Sequence, residues 1–326
     1  MRKYTNIHDI SPALAVFLLY DDYDHDSRLN TLSATGLLKS TRQMVLIHQN
    51  KTADKQIDIS DLVASRMGSA LHDGCEKAWK DPKALKEAVK LWGVSPTVFA
   101  KIKINPEKVN EGDIPVYIEQ RHEKKIKGWN ISGKYDLVLD GTLNDYKSTS
   151  CWGYIYDSNA AKYSLQGSIY KWLNPEKITS DYININFIFT DWSAVKARQD
   201  RTYPQLRVIT KKYPLMSIED TEQWIMNKLI VMDSLKDSPQ ESLPECSKEE
   251  LWATDTVYKY YKNPSKLSRA TKNFSTMDEA LTRKASDGDV GIIKTVPGQV
   301  KACRYCPVID LCTQAQQLKA EGRLVL

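Results

Sequence analysis

The sequence predicts an α/β protein, on three observations. Apolar residues recur at helical spacing through much of residues 12–91, they alternate with a period of two between Ile114 and Ser150, and a further helical stretch and further alternating stretches follow. With 326 residues and 41% hydrophobic content, the chain can bury one substantial core with an appendage, or two modest domains.

Each element has a local cause. Ser11-Pro12 supplies an N-cap and a first-turn proline for ALAVFLLY, and Ser33 opens ATGLLKSTRQMVLI as a second helix. From Asp61 to about Lys80 small and apolar side chains keep helical period, and Asp81-Pro82 starts another helix through KALKEAVKLW. After a polar linker, IPVYIEQ, NISGKYDLVLD and LNDYKSTS alternate as strands, with Asp140-Gly141 as the turn between the last two. Residues 158–173 return to helical period, YININFIFTD and YPQLRVITKKY alternate again, and Ser217 with Asp220 resembles a capping box for a helix through Leu235. Beyond Pro239 the pattern weakens into short helices and turns. These shifts divide the chain into an N-terminal helical segment, 1–60, an α/β core, 61–238, and a C-terminal subdomain, 239–326.

Apolar runs such as residues 13–19 fall short of the ~20 residues that span a bilayer. The N-terminus lacks a secretory pattern, so a cytoplasmic protein with no membrane partner is expected. The net charge of +5 is too small a bias to announce a polyanionic ligand. Its distribution says more. TVYKYYKNPSKLSRATK carries Lys259, Lys262, Lys266, Arg269 and Lys272 with no acid, and Tyr258, Tyr260 and Tyr261 are interleaved. The stretch fits DNA binding, with phosphates held and bases stacked, and equally a solvated face over a tyrosine-lined core.

Six cysteines are present. Cys75 and Cys151 stand alone and are expected as buried packing. Cys303, Cys306 and Cys312 are crowded, with Cys246 upstream, and without a secretory signal this set points to a metal rather than to disulfides. Four thiolates suit a [4Fe-4S] cluster or tetrahedral Zn²⁺, and sequence chemistry does not separate the two.

Asp136 and Asp145 lie on either side of the Asp140-Gly141 turn, so both can face one side of a hairpin and share Mg²⁺ or Mn²⁺. Lys147 projects from the same face as Asp145, two residues on. Two carboxylates and an ammonium are what phosphodiester hydrolysis asks for: a held cation, and positive charge where phosphate oxygens gain negative charge. An Asp-x-Lys triplet by itself is far more often a surface ion pair.

GKYDLVLDGTLNDYKSTS resembles the active-site hairpin of the PD-(D/E)xK nuclease superfamily, in particular its RecB-like branch. Members of that branch carry a Gly-x-x-x-His helix before the hairpin and a Gln-x-x-x-Tyr helix after it. Gly68-Ser69-Ala70-Leu71-His72 and Gln166-Gly167-Ser168-Ile169-Tyr170 stand in those places. The resemblance covers roughly Ser33 to Cys312. It implies a restriction-endonuclease-like core, a mixed central sheet flanked by helices, that hydrolyses DNA by in-line attack of water. It also implies His72, Asp136, Asp145 and the backbone carbonyl of Tyr146 around the ion, with Lys147 at the nucleophile. An imidazole ligand makes Mn²⁺ at least as natural as Mg²⁺. Gln166 and Tyr170 share a helical face on which an amide and a phenol can contact DNA and orient the site. Glu76, one turn after His72, and Glu119, on the strand before the hairpin, are each candidates for an acid supporting the ligands, and for both a structural salt bridge is the expectation.

Cys303-x-x-Cys306-x5-Cys312 after the core is similar to the iron-sulfur staple of AddB-type nucleases and of CRISPR-associated adaptation nucleases. In those relatives the first cluster cysteine precedes the core, in a segment resembling Cys-Pro-Arg. Ser40-Thr41-Arg42 stands at that place here and offers no thiol, so Cys246 is assigned as the fourth ligand of a C-terminal metal-stapled subdomain, an arrangement associated with phage-encoded relatives. The expectation is a phage-type exonuclease of DNA replication, recombination or degradation, in the host-cell cytoplasm, acting on DNA that is single-stranded or has a free end. A helicase or recombinase partner is compatible with it. The alternatives are a structure- or sequence-specific endonuclease and a catalytically silent DNA-binding scaffold; joint retention of Asp136, Asp145 and Lys147 argues against the last.

Overall fold

The computed structural model describes residues 2–21, 28, 30–50 and 55–325. The chain is α/β and forms two compact units, residues 1–38 with 52–229, and residues 39–51 with 230–326. In chain order the first elements are β1 (Arg2–Thr5), α1 (Pro12–Leu19), β2 (Thr31–Ser33), α2 (Ala34–Leu37), α3 (Thr41–Gln49) and β3 (Lys55–Asp58). Among the described residues the first sixty, expected to be helical, thus hold three strands as well. The helix expected to run on from Ser33 is also two. Ser33 Oγ accepts from Gly36 N to cap α2, and Ser40 Oγ accepts from Gln43 N to open α3. Two serines that each satisfy a free helix N–H make two starts, and the chain passes from one unit to the other between them.

Next come α4 (Val63–Lys80), α5 (Pro82–Leu91), α6 (Pro96–Phe99), β4 (Ile102–Ile104), β5 (Ile114–Ile126), β6 (Trp129–Leu139) and β7 (Thr142–Thr149). Asp81 ends α4 and caps α5 by accepting from Lys83 N, as its position before Pro82 predicts. After β7 follow α7 (Cys151–Ile155), α8 (Ala160–Leu173), β8 (Tyr182–Phe189), α9 (Ala194–Gln199), β9 (Val208–Pro214) and α10 (Ile218–Leu235). Strands β4 to β9 lie side by side in sequence order, with β2 parallel to β6 off that path. The sheet is mixed: β4–β5 and β7–β8 run parallel, and the other neighbours in the row run antiparallel. Along β8 every second residue is buried, so Ile183, Ile185, Phe187 and Phe189 enter the core. The two short helices α7 and α9 carry too few turns to impose a helical period on the sequence.

The boundary between the units falls within α10. The second unit adds β10 (Val257–Tyr261), β11 (Lys272–Phe274), α11 (Met277–Ser286), β12 (Ile292–Val296) and α12 (Thr313–Ala320) to α3. Here the expectation of short helices and turns is corrected by a small antiparallel sheet in the order β11-β10-β12. These strands are three to five residues long, too short to display alternation. No helix of the described residues is long and apolar enough to cross a membrane.

Candidate functional site

The turn between β6 and β7 has Asp140 and Gly141 both at positive φ, 45° and 77°, the pairing that matches the twist of a tight hairpin. It sets the register: Leu139 opposite Thr142, Val138 opposite Leu143, Leu137 opposite Asn144. The next pair would be Asp136 and Asp145, and there the ladder stops. Tyr146 N donates instead to Asp136 Oδ2 at 2.9 Å, while β7 runs on alongside β8. The ladder on the other side of β6 is interrupted at the same residue. Ile118 faces Leu137 and Gln120 faces Tyr135, but Glu119, whose register position is opposite Asp136, has φ 54° and leaves the ladder. Asp136 therefore stands where its strand is open on both sides, and its cross-strand neighbour on each side is an acid.

Helix α4 brings in His72, whose Nδ1 is 3.2 Å from Asp136 Oδ2. That hydrogen bond raises the imidazole pKa above its ordinary value, against the effect of burial. Asp145 is 2% exposed. Burial pushes its carboxyl up to about 6, although the Lys147 ammonium, 2.6 Å from Oδ2, pulls the other way. Burial opposes the charge on Lys147 too, but Asp145 and Asp136 outweigh it and hold the ammonium above its ordinary value. Asp145 Oδ1 accepts from Gln166 Nε2 at 3.2 Å, and the same amide nitrogen donates to the Tyr170 hydroxyl at 3.1 Å. Oδ2 is buried, and the Lys147 ammonium is its charged partner.

Gly133 explains how α8 comes so close to β6. A Cβ at that position would stand 2.7 Å from Leu173 and 3.0 Å from Tyr170, so the helix presses down over a bare backbone. Gln166 and Tyr170, placed by sequence on a face that can meet DNA, are both buried and face the carboxylates. His72, Asp136, Asp145, Lys147, Gln166 and Tyr170 line one cleft of about 450 Å³. The Tyr146 ring stands edge-on to the His72 ring, centroids 6.1 Å apart, and its hydroxyl accepts from Trp79 Nε1 at 3.2 Å.

Two acids were expected in structural salt bridges. Glu76 pairs with Lys80 one turn on. Glu119 pairs with Lys134 at 2.5 Å, but its carboxylate also lies with His72 Nδ1 or Nε2 and an Asp136 oxygen in a group whose atoms are all within 4.8 Å of one another. Burial raises its pKa, Lys134 opposing and Asp136 adding to the effect. Sequence marks this residue only as an acid on the neighbouring strand; its place beside His72 and Asp136 depends on one left-handed backbone step inside β5.

In the second unit Cys246, Cys303, Cys306 and Cys312 come together. Burial, then the other three thiols, push Cys303 up to about 11. Ser40 Oγ, in the segment that offers no thiol, stands 3.2 Å from Cys246 Sγ. Arg42, 4% exposed, donates to Cys312 Sγ, to the Gln240 and Leu243 carbonyls and to Thr313 Oγ1. Among the described residues no three of the four cysteine sulfurs lie within 4.8 Å of one another. Of the solitary thiols, Cys151 is buried and donates to the Tyr203 hydroxyl at 3.1 Å, while Cys75 is half-buried beside His72 and Asp136.

No protein-family model matches the chain, and no curated protein matches it. Four solved chains do. The crystal structure of SSO0001 is 16% identical with a TM-score of 0.38, over 68% of this chain and 86% of that one. A phage related exonuclease from Haemophilus somnus 129PT is 17% identical with a TM-score of 0.25, over 36% of this chain and 58% of that one. Likenesses this slight carry no chemistry across, and the side chains above speak for themselves.

The basic stretch of the second unit divides. Tyr260 and Tyr261 are buried, so they are core and cannot stack bases, while Tyr258 is half-buried on β10. Lys262, Lys266, Arg269 and Lys272 are exposed and Lys259 is half-buried. Lys262 is 3.4 Å from Asp287, and the Lys272 ammonium is 5.1 Å from the Phe274 ring centre. The solvated face over a tyrosine-lined core describes this sheet; what remains for an anion is its outer row of cations.

Proposed function

We propose that this protein is a metal-dependent deoxyribonuclease with a RecB-like PD-(D/E)xK core that degrades DNA from an end. The observation that carries the reading is the place of Asp136 and Asp145: cross-strand neighbours at the point where β6 and β7 part, with the Lys147 ammonium 2.6 Å from Asp145. The donor set fits a divalent cation, since the Asp136 and Asp145 carboxylates and the His72 imidazole line one cleft. Asp136, Asp145, His72 and the Tyr146 carbonyl would hold Mg²⁺ or Mn²⁺. When bound, such an ion draws charge from the scissile phosphate and makes water a better nucleophile.

The protein's own groups do the positioning. Gln166 fixes Asp145 Oδ1, and the Lys147 ammonium meets Oδ2. Tyr146 N–H and His72 together hold Asp136 Oδ2. Lys147, held above its ordinary pKa by two carboxylates, stays protonated at neutral pH. It therefore serves as fixed positive charge for the phosphate oxygens and not as a proton acceptor. The cleft, about 450 Å³, has room for one phosphodiester and parts of its sugars.

In the second unit the four cysteines form the ligand set of a [4Fe-4S] cluster in preference to Zn²⁺. The buried Arg42 guanidinium supplies the positive charge that a set of thiolates needs. Brown protein from anaerobic purification, with iron and sulfide in equal amounts, supports the cluster; colourless protein with stoichiometric zinc overturns it.

End-labelled linear and closed circular DNA, each with Mn²⁺, test the main reading. Loss from ends only is the expected result. Nicking of circles makes it an endonuclease, and no product with either makes it a silent scaffold. Asp145→Ala should lower cleavage by about 10³-fold or more while leaving the circular dichroism spectrum intact; wild-type rates in that variant would remove this site from consideration.

A further inference from the structure

The motifs that mark the cleft leave Glu119 without a part. It lies in the middle of β5, a strand of 13 residues, where alternation should set its side chain by default. Instead its φ is 54°, a conformation that side chains other than glycine rarely adopt, and the step takes it out of the ladder opposite Asp136. The result is a carboxylate, 14% exposed, whose oxygen lies with a His72 ring nitrogen and an Asp136 oxygen all within 4.8 Å of one another. In the same cleft Asp145 Oδ2 is buried, with the Lys147 ammonium 2.6 Å away.

We infer that Glu119 is a direct cation ligand, completing with His72 and Asp136 a face of one imidazole and two carboxylates that holds Mn²⁺. The inference rests on the nuclease reading above and extends it. Three donors on three elements, α4, β5 and β6, converge from one side, as a coordination face requires. Carboxylates alone serve Mg²⁺; an imidazole among them favours Mn²⁺. Lys134, two residues before Asp136, draws on the same carboxylate at 2.5 Å and so competes with a cation for it. If Glu119 served only the ion pair with Lys134, an ordinary strand conformation at the surface would do, because exposed pairs gain little from burial.

Mn²⁺ binding to the full-length protein, followed by titration calorimetry and by the electron paramagnetic resonance signal of free Mn²⁺, is the test. Glu119→Gln, which keeps the shape, should weaken Mn²⁺ by about 10–100-fold or more and Mg²⁺ at least as much. Lys134→Met should tighten Mn²⁺ binding, a gain that misfolding cannot imitate. Wild-type Mn²⁺ affinity in Glu119→Gln, with Asp136→Ala still abolishing binding and wild-type protein still cutting DNA, overturns the assignment of Glu119 and leaves the nuclease reading standing. A wild-type protein that neither binds Mn²⁺ nor cuts DNA overturns both.

Discussion

Asp136 faces an acid on each neighbouring strand, and like charges gathered at one point persist in a fold only where positive charge answers them. Lys147, Lys134 and a protonated His72 are the protein's own answers. Proton uptake is another, and it has a sign. The folded-state pKa is raised for Asp145, chiefly by burial, and for His72, chiefly by the hydrogen bond to Asp136. The folded chain therefore binds protons at pH values where the unfolded chain has released them. The stability these two groups lend is present at low pH and is lost as pH rises through about 6 and beyond. A cation needs the opposite forms, Asp145 ionised and His72 neutral, with Asp136 and Lys147 the charged groups facing both. Mn²⁺ should accordingly raise Tm at about pH 7.5 and much less at about pH 5.5. Scanning fluorimetry with and without Mn²⁺ at the two pH values checks this, and an equal shift at both would contradict it. The residues that the motifs name, His72, Asp136, Asp145, Lys147, Gln166 and Tyr170, were legible because they recur at fixed spacing, and they line one cleft. Glu119 was legible only as an acid on the neighbouring strand, since the backbone step of φ 54° that brings it beside His72 and Asp136 leaves no mark in residue type.

At the scale of elements, the legible parts are those whose local cause lies within a few residues. The Asp140-Gly141 turn and the Asp81-Pro82 start are of this kind, and each element they frame is found. What sequence did not disclose is short: α7, α9 and the strands β1 to β3 and β10 to β12 hold too few residues to repeat a period. The seating of α8 is of a third kind, set by the absence of a side chain at Gly133, where a Cβ would be 2.7 Å from Leu173. Gly133→Val should push α8 off β6 and cost about 1–3 kcal/mol by overpacking. Urea unfolding measures the cost. Because Gln166 rides on α8 and fixes Asp145, DNA cleavage by the folded variant should fall as well. A variant as stable and as active as wild type would show that α8 is not held by this approach.

For the molecule as a whole, the instructive segment is residues 39–51, which belong to the second unit although more than 170 residues of the first unit lie between them and the rest of it. No periodicity predicts such a return. One side chain accounts for much of it. Arg42 of α3 is buried and donates to the carbonyls of Gln240 and Leu243, to Thr313 Oγ1 and to Cys312 Sγ, joining four places in the later chain. Ser40, two residues before, stands 3.2 Å from Cys246 Sγ, so this segment and the thiols form one assembly. Arg42→Met keeps most of the apolar stem but strips these groups of their donor. Leaving buried acceptors unpaired beside a set of thiols should cost about 3–5 kcal/mol. That loss should appear as a lower-melting transition and as earlier proteolysis confined to residues 39–51 and 230–326, while Mn²⁺ affinity, which draws on residues of the first unit alone, stays at the wild-type value. A loss of Mn²⁺ binding in step with that melting would mean that the two units do not carry their functions separately.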